Sequence, residues 1–274
     1  MINGSFYAIL VFIALIFRNF IIYSSNTNKQ TYLMESDMFL RSLVIAVLCL
    51  TSVNLAHSQE TGEFVLNATP GEVLGSDAGS YSKYIGENEM ISWEVYVPEN
   101  YDPFRPAGVM VFAGAPRNVR APSGWLSVMK DKNLIWVAAR HSGNGASIFQ
   151  KELLSMMSVP LIEKDYAIDK SRIYITGEGR TAGRAVMNYP QLFKGAIFMG
   201  KQIWENNAEE KVSAIKDNRF VFVTRETSAI PKGNRYAYNK FKNAGVANIE
   251  MVIIKGTHRF NRPKFSKSID YLDG

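Results

Sequence analysis

The stretch with the most chemistry to offer is Arg172-Ile-Tyr-Ile-Thr-Gly-Glu-Gly-Arg-Thr-Ala-Gly-Arg184. An apolar, β-branched run enters a glycine-bearing turn, and small residues from Ala182 to Met187 leave it as a helix. Strand, tight turn and helix is the setting in which a Gly-x-Ser-x-Gly pattern raises a serine above a parallel sheet. The glycines permit the sharp turn and a close approach of helix to strand. Here the serine is missing. The other reactive side chains are few: the histidines are His57, His141 and His258, and the one cysteine is Cys49. No cysteine pair and no close histidine–carboxylate spacing offers a metal site. Gly177-Glu-Gly179 lacks the further glycine and downstream acid of a dinucleotide fingerprint, and a P-loop lysine is absent. The expectation is no metal and no cofactor.

The elements that must position the turn follow from periodicity. Met90-Ile-Ser-Trp-Glu-Val-Tyr-Val-Pro98 alternates as a half-buried antiparallel strand should. Val109–Phe112, Leu134–Ala139, Gly195–Met199, Arg219–Thr224 and Ile249–Ile254 are further strands, most of them continuously apolar. Helices are expected from about Ser147 to Asp165, interrupted at Pro160, and from Gly233 to Ala244. Apolar strands alternating with helices predict a mostly parallel sheet covered on both faces, in one α/β domain spanning 90–274. In such sheets the loops beyond the strands' C-terminal ends form the site. The Leu134 strand ends at His141-Ser-Gly-Asn-Gly145. Residues 59–89 are polar and read as an irregular lead-in or edge hairpin. No repeat, low-complexity tract or separate lid domain is evident.

The first 58 residues read as a membrane-targeting region. Phe6–Tyr23 is an apolar run broken by Arg18 and Asn19, marginally long enough to span a bilayer. Residues 38–58 hold Arg41, an apolar stretch from Ser42 to Val53, and Ala56-His57-Ser58 before Gln59, as a secretory signal peptide does. The favoured expectation is a start at Met34 or Met38, with residues 1–37 an over-long reading of the gene; a genuine N-terminal anchor is the alternative. The mature protein would be secreted or periplasmic, touching membrane only through that segment. It would also lack Cys49, and with it disulfide and thiolate chemistry. The first 58 residues carry three basic and two acidic side chains, so removing them takes the net charge from +6 to +5. Arg259, Arg262, Lys264 and Lys267 are a solvated cluster rather than a nucleic-acid surface.

The layout resembles the α/β-hydrolase fold, and within it the secreted esterases near polyhydroxybutyrate depolymerases and feruloyl esterases. The resemblance runs from about Trp93 to Asp270. It is carried by Trp93-Glu-Val-Tyr-Val-Pro-Glu-Asn-Tyr-Asp102, Tyr166-Ala-Ile-Asp-Lys-Ser-Arg-Ile-Tyr-Ile-Thr-Gly177 and Tyr189-Pro-Gln-Leu-Phe-Lys-Gly-Ala196. The segment from Gly124-Trp125 to Asn144 is similar to a secreted subgroup of these hydrolase-like proteins.

The resemblance implies a nucleophile, a histidine base, an orienting acid and N–H donors for an oxyanion. His258, in Gly256-Thr-His258 after the last core strand, stands where the base belongs. Anchored on Gly177, the turn puts Gly179 at the serine position; anchored on Arg184, it puts Arg180 there. A looser Gly-x-Thr-x-Gly offers Thr181, although β-branched residues fit an elbow's strained backbone poorly. Glu226 is the nearest carboxylate after Thr224, close to Ser228 where relatives carry an aspartate. Ala113-Gly114 replaces the His-Gly of many relatives, and the N–H groups of Gly114 or Ala115 remain possible oxyanion donors. Trp93, Trp125, Trp136 and Trp204 are expected in the core or at a rim, with a groove for carbohydrate or aromatic ester as the alternative. The expectation is a carboxylic ester hydrolase fold with a degenerate elbow, a pseudo-hydrolase that binds an ester or acylated glycan. Two alternatives stand beside it: an atypical esterase using Thr181, His258 and Glu226, and a membrane-tethered cell-envelope interaction protein.

Overall fold

The computed structural model describes residues 59–114, 120–200, 208–226, 231–255 and 260–274. Eight strands form one sheet: β1 (Gly62–Ala68), β2 (Ile91–Val97), β3 (Ala107–Ala113), β4 (Leu134–Ala139), β5 (Ile168–Glu178), β6 (Gly195–Met199), β7 (Arg219–Arg225) and β8 (Ile249–Ile254). Their order is β1-β2-β4-β3-β5-β6-β7-β8. β2 runs antiparallel to both neighbours, and every other pairing is parallel. The helices are α1 (Pro70–Leu74), α2 (Ser123–Asp131), α3 (Ile148–Glu163), α4 (Gly179–Asn188), α5 (Ala208–Val212), α6 (Pro231–Asn243) and α7 (Arg262–Asp273).

The apolar runs form central strands because both faces are covered. On one face Val109, Val111, Ile135, Val137, Ile175 and Phe198 pack with α3, α4 and α6. On the other, Met110, Trp136, Tyr174, Ile197 and Val221 pack with Trp125 and Met129 of α2 and Phe265 and Ile269 of α7. Trp93, Trp125 and Trp136 are all core residues, at most 4% exposed, and Trp204 lies outside the described residues. No helix among the described residues is long and apolar enough to cross a membrane.

Three local expectations change. The β2 segment is almost wholly buried instead of half-buried. Its polar position Glu94 is covered too, and this is tolerated because Arg140 pairs with it. Residues 59–89 follow the edge-strand alternative instead of the irregular lead-in: β1 pairs antiparallel with all of β2, and Thr69 then caps α1 through a reciprocal box with Glu72. Pro160 does not interrupt α3, which continues to Glu163. A proline that close to the C-terminus removes one ladder bond from a helix held by burial along most of its length.

Candidate ligand-binding cleft

At the C-terminal edge of the sheet β3 and β5 pair through Ala113 and Gly177. Gly177, near the end of β5, has φ +108°, and a Cβ there would stand 2.3 Å from the Ala113 carbonyl oxygen of β3. Only glycine fits both the angle and the gap. This contact holds Gly114 (φ +77°), the first residue after β3, beside the turn that opens α4.

Next to Gly114 lies an open cleft of about 650 Å³, lined by Gly114, His141, Gly143, Asn144, Gly145, Ala146 and Gln150. A smaller cavity of about 220 Å³ adjoins it and shares His141, Ala146 and Gln150. The loop from β4 to α3 lines the cleft and, together with residues 85–92, the smaller cavity, and it is anchored at each end. Arg140 donates its backbone N–H to the Ser92 carbonyl at 2.8 Å. Its Nε and Nη2 donate to Glu94 Oε1 at 2.8 and 2.6 Å. Ser142 is buried and its hydroxyl donates to the Ala139 carbonyl. At the far end Ser147 caps α3: the Gln150 N–H donates to its hydroxyl, and Gln150 Oε1 accepts from its N–H. Between these anchors His141 takes a left-handed φ of +58°, a region where histidine is over-represented among non-glycine residues. His141 and Asn144 are exposed.

Around the start of α3, among residues that line neither cavity, lies a stacked layer. Phe149 lies against Tyr84, ring centroids 5.2 Å apart, and the Arg184 guanidinium sits 5.0 Å from the Phe149 ring. Arg184 Nε donates to Glu152 Oε2 of α3 at 2.9 Å, and Asn188, one helical turn on, donates to Glu152 Oε1. Burial, reinforced by the Glu152 carboxylate, pushes the Tyr189 phenol up to about 12.

The expected machinery is placed as follows. β5 runs unbroken to Glu178 and α4 begins at Gly179, so Gly179, Arg180 and Thr181 form the helix's first turn. Arg180 is exposed, Gly179 is buried, and Thr181 is fully buried at 0%. Glu226 is exposed just after β7, its N–H donating to the Ile254 carbonyl at 3.0 Å. None of these four lines either cavity among the described residues, whereas Gly114 does. His258, Ala115 and Ser228 lie outside the described residues. No group of three or more His, Cys, Asp or Glu able to hold a metal occurs among the described residues. The sequence reading gave no role to His141. The signal was present: a histidine and a glycine-rich polar tract directly after an apolar strand, at the sheet edge where sites form.

No protein-family model matches the chain, and no curated protein matches it in sequence. Solved structures do. A thermostable esterase matches with TM-score 0.50 at 20% identity, over 76% of this chain and 59% of that one. A ferulic acid esterase matches with TM-score 0.53 at 13% identity, over 78% of this chain and 99% of that one. Porphyromonas gingivalis dipeptidyl peptidase 4 matches with TM-score 0.51 at 14% identity, over 68% of this chain. The chain thus spans 59% of the thermostable esterase and 34% of the peptidase. At these identities the likeness is one of architecture. The strand order, the single antiparallel strand β2 and the helices on both faces give this chain the α/β-hydrolase fold.

Proposed function

We propose that this chain is a secreted binding protein on an esterase-like fold, impaired in turnover, whose cleft receives an ester or acylated glycan. The observation that carries this reading is the burial of Thr181. Of the three residues at or near the serine position it alone has a nucleophilic side chain, and it is 0% exposed inside α4. A nucleophile must reach the carbonyl carbon it attacks. The cleft itself is open, carries His141, Asn144 and Gln150 on its lining, and lies next to Gly114. The fold shared with a ferulic acid esterase favours an ester as its occupant.

An atypical esterase using Thr181, His258 and Glu226 is the second reading, favoured by the retained glycine at the oxyanion position, Gly114. It requires Thr181 to leave the packed face of α4. A membrane-tethered envelope protein is the third, and rests on Phe6–Tyr23 alone.

The test is calorimetric titration of the full chain with ethyl ferulate and phenyl acetate, beside His141→Ala and Asn144→Ala. Binding that weakens by roughly tenfold or more in these variants supports the cleft as the site. Binding unaffected by both, or none from a folded sample, refutes it.

A further inference from the structure

We infer that the smaller cavity is a site for a ligand carrying both a carboxylate and an ammonium group, an α-amino acid with a modest apolar side chain. Its lining sets Arg140 and Glu89 on one small cavity, together with Ser92 and Gln150. Ile85, Ile91 and Leu154 also line it and are 5%, 8% and 6% exposed, which gives it an apolar floor. Arg140 is pre-set for the carboxylate: Nε and Nη2 are committed to Glu94 Oε1, which fixes the guanidinium plane and leaves Nη1 to donate. Glu89 is pre-set for the ammonium, because its Oε2 accepts the Gly86 N–H at 3.2 Å and Oε1 remains.

The charge pattern selects against simpler ligands. A bare anion meets the Glu89 carboxylate as well as Arg140, and a bare cation meets Arg140. A neutral ligand with separated charges satisfies both groups. Its size agrees, since about 220 Å³ falls below the ~300–1,000 Å³ of drug-sized pockets. This site stands independently of the proposed ester binding, although the two cavities share a wall.

The experiment is calorimetry on the full chain with L-leucine and L-methionine, beside N-acetyl-leucine and leucinamide, which each lack one charge. The free amino acids are expected to bind, and both capped compounds to bind ~10-fold more weakly or worse. Glu89→Gln, at an exposed position, is expected to remove the preference for leucine over N-acetyl-leucine while the fold persists. Arg140→Lys is expected to weaken leucine binding and to remove its preference over leucinamide. Capped compounds binding as well as free ones, or no binding of any of the four by a sample with native circular dichroism, would overturn the site. Ethyl ferulate titrated into the same sample separates the two readings: amino-acid binding without ester binding sinks the proposed function alone, and the reverse sinks this inference alone.

Discussion

Gly177 of β5 and Ala113 of β3 lie so close that a methyl group on the glycine would stand 2.3 Å from the alanine's carbonyl oxygen. That approach sets the start of α4 beside Gly114, the residue through which this end of β3 lines the cleft.

Gly177→Ala is therefore expected to destabilise the protein by ~2–4 kcal/mol, combining the cost of a positive φ with displaced backbone. Urea unfolding followed by circular dichroism reads this directly. An unchanged midpoint would mean that the strands do not meet as described.

Arg184 and Glu152 form a pair whose side chains are 14% and 6% exposed. Removing the arginine leaves a buried carboxylate, and Arg184→Ala is expected to cost ~3–5 kcal/mol. Breaking the exposed Lys130–Glu99 pair with Lys130→Ala should change stability by less than ~1 kcal/mol. Thermal unfolding of both variants distinguishes them; equal shifts would contradict the burial argument.

Alkaline pH gives a signed prediction. Burial raises the phenols of Tyr96, Tyr166 and Tyr189 from 10.0 to about 12. Between those values the unfolded chain releases these protons and the folded one keeps them. Their contribution is complete below pH 10 and is lost as pH rises through 12. Stability measured from pH 9 to 12 should fall, and Tyr189→Phe should flatten the slope. A flat profile in the parent protein would contradict it.

What was legible in the sequence was what periodicity encodes. Leu134–Ala139 and Ile249–Ile254 are strands with the bounds their apolar runs give. The missing serine could be read from Gly177-Glu-Gly-Arg-Thr181. The burial of Thr181 could not, because it depends on where α4 starts relative to β5. Residues 60–88 left the choice between an irregular lead-in and an edge hairpin open because β1 is a single short edge strand, whose pairing depends on β2, distant in sequence. The cleft escaped notice for a related reason. Its wall is the aperiodic loop from His141 to Ala146, and its shape depends on Ser92 and Glu94 of β2 at one end and Ser147 at the other, two anchors distant in sequence.

The proposed secretion predicts a mature N-terminus at Gln59. Mass spectrometry of the protein recovered from its natural host should find that residue first. Recovery of Phe6–Tyr23 on the mature chain would support the tether instead.

The most direct test of the central claim is turnover: hydrolysis of p-nitrophenyl acetate and butyrate by the full chain, with Thr181→Ala and His258→Ala beside it. The account predicts release at the buffer rate, the same in all three proteins, even where ester binding is saturated. Turnover well above background that falls ~100-fold or more in both variants would establish a working threonine esterase and contradict the account.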